Sequence, residues 1–505
     1  HRLQRNLAYL IHYPYGCVEQ TTSGAMPLLL LRHHTELFEG VLPGANKVTL
    51  EMLNGYVADG VSRLLGMQTP SGGLGYWSGS SETYVYGSVY AAHFLTLARL
   101  ENAAEVPEKP FRSLQDYLRK VMNGHFNGGY EFGDLYTRAY ALYVLALDGQ
   151  LDAVEAISRF DRVTMPESGR WLLAAALARN TNDPARVAEY IKTAPAKPYT
   201  DTWRSGDLNS EIREVSVKAL AAVQAGMPDT EIQPLVNRLV EWIDQNLVYY
   251  STPEAAFVIT ALNACLSRAS TDLTAAAGTI TGPDGVGNVQ AGGSWQGAAK
   301  GPGKTFTVAN TGATPLYVAH TCMGLPTLPR TEPVAEGMTL SRTVSTAEGA
   351  LLAADAPLTH GGSYLVDLAI QVPSDRENVI LSDILPAGLE IANPRLDRNA
   401  LVKMGKIAET KAQDQSENPE EDWNGDAEAE EARREKEEGV QPQYLEARDD
   451  RLVVAFEKLK AGTHHFYYVV RAVTPGTFRQ PALQGECMYN PEIRAVTLDK
   501  TVTIQ

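Results

Sequence analysis

Cysteine is scarce in this sequence of 505 residues: there are four, Cys17, Cys265, Cys322 and Cys487. A fold built on disulfides is far denser in cysteine, which excludes that class. The four form no C-x-x-C pair and no His/Cys cluster has zinc spacing, so neither a structural metal nor a cofactor is expected. Long hydrophobic runs are missing too. The strongest, Met26 to Leu31, falls far short of the ~20 residues that cross a bilayer. Positive charge is also in deficit, with 44 Lys and Arg against 60 Asp and Glu, a net charge of −16. A nucleic-acid partner needs a basic footprint and is not expected. With neither an initiating Met nor a signal peptide, the opening His1-Arg2-Leu3-Gln4 reads as the inside of something longer.

What remains is ordinary globular material, 44% hydrophobic and 21% charged, long enough for three or four domains. Up to about Arg268 the periodicity is helical. Expected helices include Ala25 to Phe38, Val48 to Met67, Tyr84 to Leu100, Phe111 to Val121, Leu135 to Leu147, Gly169 to Arg179, Glu211 to Ala225, Glu231 to Leu247 and Thr252 to Leu266. A loose repeat runs through them, in which an aromatic after a Gly- or Ser-rich turn precedes an Ala-, Leu- or Tyr-rich helix. Gly75-Tyr76-Trp77 precedes Ser88-Val89-Tyr90-Ala91-Ala92, and Gly129-Tyr130 precedes Ala139-Tyr140-Ala141-Leu142. Repeated helix pairs must stack or close to bury their apolar faces, and small Ala-rich helices suit the inner layer of a ring.

After Ser270 glycine, proline and threonine rise and short alternating strands take over, the signature of β-sandwiches. Expected strands are Thr305 to Ala309, Leu316 to Ala319, Tyr364 to Gln371, Arg451 to Phe456, His464 to Ala472 and Ala495 to Thr501. The expected division is a helical domain over 1–270, a small β domain over 271–344 and a C-terminal sandwich over 345–505. Glu409 to Glu438 holds 13 acidic and 4 basic residues and reads as a long solvated loop inside the last domain.

The chemistry is concentrated near the start, in Tyr13-Pro14-Tyr15-Gly16-Cys17-Val18-Glu19-Gln20-Thr21-Thr22. A Cys and a Gln three residues apart meet when the intervening backbone makes a helical turn. The thiol sulfur can then attack the side-chain carbonyl and expel ammonia, leaving an internal thioester. Such a bond survives only where water is kept out, so aromatic neighbours are what the chemistry requires. Taken alone, Cys-x-x-Gln is a weak signal, since a lone Cys is usually a buried small hydrophobe.

The longer string Gly16-Cys17-Val18-Glu19-Gln20 resembles the Gly-Cys-x-Glu-Gln thioester signature of the alpha-2-macroglobulin and complement family. The preceding Tyr-Pro-Tyr is similar to its bacterial members. The resemblance implies a multidomain α and β protein: an α/α toroid of about six helix pairs, then the returning half of a CUB-like β domain and a macroglobulin-like β-sandwich. It implies a protease trap that is not an enzyme, in which the Cys17–Gln20 thioester acylates lysines of target proteases. The trigger, a bait region, and the upstream macroglobulin part of the same protein would precede this chain. Complement-type members carry a His shortly before a Gly-Gly pair that redirects the acyl group to hydroxyls, where amine-directed members have Asn. Counting back from Gly128-Gly129 leaves Asn123 and His125 both open as the tuning position, beside a plain turn with a capping Asn. Cys487-Met488-Tyr489-Asn490-Pro491-Glu492 is similar to a bacterial segment said to cover the thioester, so Met488 and Tyr489, with Tyr13 and Tyr15, are expected to shield it. Periplasmic localisation follows from the resemblance, with an inner-membrane anchor through a lipidated N-terminus outside this chain and, for some relatives, an accompanying peptidoglycan-synthesising penicillin-binding protein.

Two other classes compete. Toroid enzymes of glycan or isoprenoid chemistry need paired carboxylates or a metal in the ring, and none stands out in the sequence. A cysteine acyltransferase using Cys17 would want a partner His, for which the sequence offers no assured candidate.

Overall fold

The computed structural model describes residues 2–12, 16–38, 41–42, 47–124, 135–149, 151–160, 163–181, 183–198, 208–245, 251–268, 277–283, 285–289, 304–312, 331–346, 349–392 and 440–505. The chain divides into two compact units, one of His1–Val248 with Thr252–Gly324, the other of Tyr249–Ser251 with Leu325–Gln505.

Among the described residues the first unit has helices α1 (Arg2–His12), α2 (Val18–Leu30), α3 (Leu50–Leu65), α4 (Val85–Leu100), α5 (Glu108–Met122), α6 (Leu135–Leu147), α7 (Ala153–Ile157), α8 (Glu167–Thr181), α9 (Pro184–Thr193), α10 (Glu211–Gln224), α11 (Asp229–Gln245) and α12 (Thr252–Arg268). The even-numbered helices pack in a closed circle: α2 on α4, then α6, α8, α10 and α12, and α12 back on α2. The odd-numbered helices lie against them from outside. This is an α/α toroid of six pairs, and the sequence shows why each helix takes its layer. α6 is buried from Tyr136 to Leu147 apart from the half-buried Arg138, as a helix apolar on nearly every side must be. α5 instead buries one stripe, Phe111, Leu114, Tyr117, Leu118 and Val121, and turns Arg112, Gln115 and Asp116 outward. The two helices marked by the aromatic-then-alanine repeat, α4 and α6, both belong to the inner circle.

The ring is filled with aromatics rather than left as a channel. Tyr86, Tyr90, Tyr136, Tyr140 and Tyr143 are all buried. Among them the fully buried Arg213 guanidinium stands over the rings of Tyr136 (4.9 Å), Tyr86 (5.0 Å) and Phe257 (5.8 Å). The ring quadrupoles and the Asn209 side chain, which accepts from Arg213 Nε at 3.0 Å, replace part of the hydration a buried cation loses.

Between α7 and α10 a two-residue parallel pair, β1 (Met165–Pro166) and β2 (Ala196–Lys197), ties two connections together. The unit ends in an antiparallel sheet of β3 (Gly278–Gly282), β4 (Gly285–Val289) and β5 (Thr307–Asn310), in the order β4-β3-β5. The expected strand at Leu316 to Ala319 lies outside the described residues, as does the acidic segment from Glu409 to Glu438.

The second unit is an antiparallel sandwich. Its strands are β6 (Val334–Glu336), β7 (Thr339–Thr346), β8 (Ser363–Val372), β9 (Arg376–Ile384), β10 (Leu389–Ile391), β11 (Tyr444–Ala447), β12 (Arg451–Leu459), β13 (Gly462–Ala472), β14 (Gly476–Gln480), β15 (Gln484–Cys487), β16 (Asn490–Val496) and β17 (Lys500–Ile504). One sheet runs β10-β13-β8-β7 and the other β11-β12-β9-β15-β16-β6, with β14 and β17 paired beside them. Alternate residues point inward: Val366, Leu368 and Ile370 from β8 share one core with Leu452, Val454 and Phe456 from β12.

The structure differs from the sequence expectation at three boundaries. β7 lies almost wholly before residue 345, yet pairs along its length with β8 and sends Leu340 and Val344 into the sandwich core. Pairing and burial therefore start the sandwich about a dozen residues earlier than the composition break. The strand expected over Ala495 to Thr501 is two, β16 ending at Val496 and β17 starting at Lys500, because Thr497 N–H and its hydroxyl turn back to Leu483. The helix expected from Ala25 to Phe38 begins at Val18 and ends at Leu30. Its low-propensity opening, Thr21-Thr22-Ser23-Gly24, is carried by a strong cap.

Candidate functional site

That cap is Cys17. In extended conformation (φ −64°, ψ 169°) it occupies the N-cap of α2, and Gln20 is the third helical residue. Gln20 N–H donates to Cys17 Sγ at 3.4 Å, and Cys17 N–H donates to Gln20 Oε1 at 3.2 Å. This is a capping box with a thiol in place of the usual hydroxyl. It places both reacting side chains at the same helix end, each held by the other's backbone. Cys17 is 0% and Gln20 4% exposed, as the survival of a thioester requires.

The surroundings are rigid. Val18 N–H donates to the Tyr76 carbonyl at 2.9 Å, tying α2 to the loop between α3 and α4. A triangle of hydroxyls, Thr69, Ser71 and Thr83, braces that loop at 2.8–2.9 Å. The Tyr76 ring packs on Tyr84 at 5.1 Å and on Trp77 at 5.5 Å. Two glycines allow the close approach. A Cβ on Gly87 would stand 2.6 Å from Val18 Cγ1, and one on Gly16 would collide with the Arg63 guanidinium. Thr21 Oγ1 closes the turn from the other side, donating to the Gly16 carbonyl at 3.3 Å.

Glu19 sits between Cys17 and Gln20 in sequence but serves the ring. Wholly buried, its carboxylate accepts from Ser23 Oγ one turn on and from Thr252 Oγ1 of α12 at 2.9 Å. Ser23 in turn meets Tyr90 OH at 3.1 Å. The last helix of the circle is therefore bonded to the helix that carries the candidate site. Reading the sequence for reactive groups missed this closure, whose partners lie 233 residues apart. The capping box was available to it, since C-x-x-Q has the spacing of N-cap to third residue.

The remaining expected site residues fall in several places. Asn123 is the C-cap residue of α5; its Nδ2 donates to the Arg119 carbonyl at 2.8 Å and its Oδ1 accepts from Arg159. Both partners are local to that corner. His125, Tyr13 and Tyr15 lie outside the described residues. Met488 and Tyr489 form the turn between β15 and β16 and are buried, with Met488 N–H donating to the Asn378 carbonyl at 2.9 Å. Among the described residues no group of three His, Cys, Asp or Glu side chains could hold a metal, and no helix is long and apolar enough to cross a membrane.

Known proteins share this organisation. Residues 337–492 match the family described as Bacterial Alpha-2-macroglobulin MG10 domain. Alpha-2-macroglobulin of Escherichia coli K12 is 25% identical over 98% of the chain, and that of Xylella fastidiosa Temecula1 25% over 96%. The chain spans only 28% of the length of either. Native E. coli alpha-2-macroglobulin from domain MG7 to the C-terminus superposes with a TM-score of 0.72 at 21% identity, covering 100% of this chain and 75% of that one. Salmonella alpha-2-macroglobulin reacted with methylamine gives 0.71 at 22%, covering 100% and 31%. By sequence along nearly its whole length, and by its toroid and sandwich, the chain resembles the C-terminal part of bacterial alpha-2-macroglobulin.

Proposed function

We propose that Cys17 and Gln20 close an internal thioester and that this chain is the covalent arm of a broad-spectrum protease inhibitor. The observation that carries the reading is the reciprocal hydrogen bonding of the two residues at the start of α2. In the closing step Cys17 Sγ attacks Gln20 Cδ, the thiol proton passes to the amide nitrogen, and ammonia leaves. Cys17 N–H already points at the oxygen on which negative charge develops. The positive end of α2 favours the negative charge that sulfur bears during attack or expulsion. In the trapping step a lysine Nζ of the protease attacks Cδ. An amide forms, sulfur leaves, and the amine's proton ends on the thiol. The acyl group is spent once, so the protein is an inhibitor and not an enzyme. Amine nucleophiles are weak when protonated, and proximity to a trapped protease supplies much of the rate.

The bait region and the other macroglobulin domains belong to the remainder of a longer protein, and the periplasm is the proposed compartment. Shielding by Tyr13, Tyr15, Met488 and Tyr489, and tuning towards amines by Asn123 rather than His125, are parts of the same proposal. The test is intact mass with and without methylamine on freshly purified native protein. A mass short by one ammonia, which methylamine raises by its own mass to one CH2 above the unmodified chain with appearance of one thiol, is the expected result. A full-length native protein with an unmodified Gln20 amide that never reacts with methylamine would overturn it. The same assay on a Met488→Ala, Tyr489→Ala double variant tests shielding, which predicts faster methylamine uptake.

A further inference from the structure

The sandwich contains a cavity of about 160 Å³, lined partly by residues of its hydrophobic core, in which the candidate thioester has no part. Its walls are aliphatic, with Val344, Leu352, Leu389, Val470 and Val502 among them, while Arg342, Asp383 and Tyr468 form a polar side. Lys500, which is exposed, also lines it. The polar side bridges the two sheets. Arg342 on β7 pairs with Asp383 on β9, Tyr468 OH on β13 donates to Asp383 Oδ2 at 2.6 Å, and Arg342 Nη2 also reaches the Pro481 carbonyl at 3.1 Å. Arg342 is 8% and Asp383 2% exposed, so both charges are out of water.

One donor in this arrangement has no acceptor. Arg342 Nε is buried and meets no hydrogen-bond partner, although the guanidinium around it is committed to Asp383 and Pro481. Buried donors in folded proteins are nearly always satisfied, and each exception calls for an explanation. The lining carries two cations, Arg342 and Lys500, against the single carboxylate of Asp383. An acceptor that brought its own negative charge would balance the lining.

We propose that this cavity binds a small monocarboxylic acid with an apolar tail, its carboxylate accepting from Arg342 Nε and its tail filling the aliphatic walls. The volume suits a tail the size of a phenyl or branched alkyl group, and pockets of this make-up, mostly apolar with a few convergent polar groups, are the usual form of small-ligand sites. The site is independent of the thioester reading and stands or falls separately.

Isothermal titration of this chain with phenylacetate tests it, with phenylacetamide as the uncharged control. Ala356 lines the cavity and is only half-buried, so Ala356→Phe blocks the space without burdening the core. Arg342→Lys keeps a cation beside Asp383 but removes the Nε donor. We expect saturable binding of phenylacetate by the wild type, weaker by at least tenfold in either variant, and weaker by a similar factor for the amide. Absence of phenylacetate binding at millimolar concentration, unchanged affinity in Ala356→Phe, or equal affinity for the amide would each overturn the proposal. Should Arg342→Lys fail to fold, the Ala356→Phe and amide comparisons still decide.

Discussion

At the scale of single residues, position within a local motif decides what a side chain can do. Cys17 is a nucleophile candidate because it caps a helix whose third residue is Gln. Asn123 occupies another cap, at the end of α5, with both ends of its amide engaged. Asn123→Ala should cost about 0.5–1 kcal/mol, the worth of one modest hydrogen bond, and, on the proposed tuning role, shift the thioester from amine towards hydroxyl capture. Unchanged selectivity, measured with methylamine and glycerol in competition, would take the tuning role away from Asn123. His93 makes a pH-dependent prediction. It is buried in the ring with Nδ1 at 2.8 Å from Tyr140 OH, and burial pushes its pKa down to about 3. The folded state therefore binds fewer protons than the unfolded one between about pH 6.5 and 3. His93 imposes no penalty above pH 6.5, and stability falls as pH drops through that window. At about 1.4 kcal/mol per pH unit the loss approaches roughly 5 kcal/mol. Chemical denaturation between pH 7 and 4 should show a flatter profile for His93→Gln than for wild type, because glutamine has no proton to gain in this range.

At the scale of elements, α2 is fixed on three sides: by Tyr76 at its start, by α4 along its flank and by Thr252 of α12 through Glu19. The flank contact needs Gly87, where a Cβ would meet Tyr84 Cδ1 at 2.5 Å and Val18 Cγ1 at 2.6 Å. Gly87→Ala gains helix propensity of up to about 1 kcal/mol but pushes Val18, the residue next to Cys17. Overpacking of this kind costs about 1–3 kcal/mol, so the net effect is destabilising by up to about 2 kcal/mol. Thermal unfolding checks that sign. On the proposed thioester, the displaced start of α2 should also slow methylamine uptake or leave a fraction of Gln20 as amide, visible by peptide mass.

At the scale of the whole molecule, the extent of the sandwich is the testable quantity. Met338 is buried, and Leu340 and Val344 pack on the core from β7, which completes the four-stranded sheet beside β8. A fragment of residues 332–505 should fold cooperatively. One of residues 345–505, cut at the composition break, loses most of β7 and exposes the edge of β8. Each fully buried apolar side chain contributes about 1.5–3 kcal/mol, so the shorter fragment should lose on the order of 5 kcal/mol and aggregate through the bared edge. Equal melting temperatures for the two fragments would show that β7 is an ornament of the sheet.

The sequence by itself determined the layers of the ring, because a helix such as α6 that is apolar on nearly every side has no stable place but the inside, and α5 with a single stripe has none but the outside. It determined the candidate site as well, since Cys17 and Gln20 are near neighbours and their geometry is set within one helical turn. Strand alternation marked β8, β12 and β13 for the same local reason. Only the tertiary structure decided what depends on partners distant in the chain. The β7 register belongs to β8, the bond from Thr252 to Glu19 joins the two ends of the ring, and the buried Arg213 is met by Tyr86, Tyr136 and Phe257 from three other helices. Local pattern fixes which face a segment must bury. The contact that buries it is chosen by the rest of the chain.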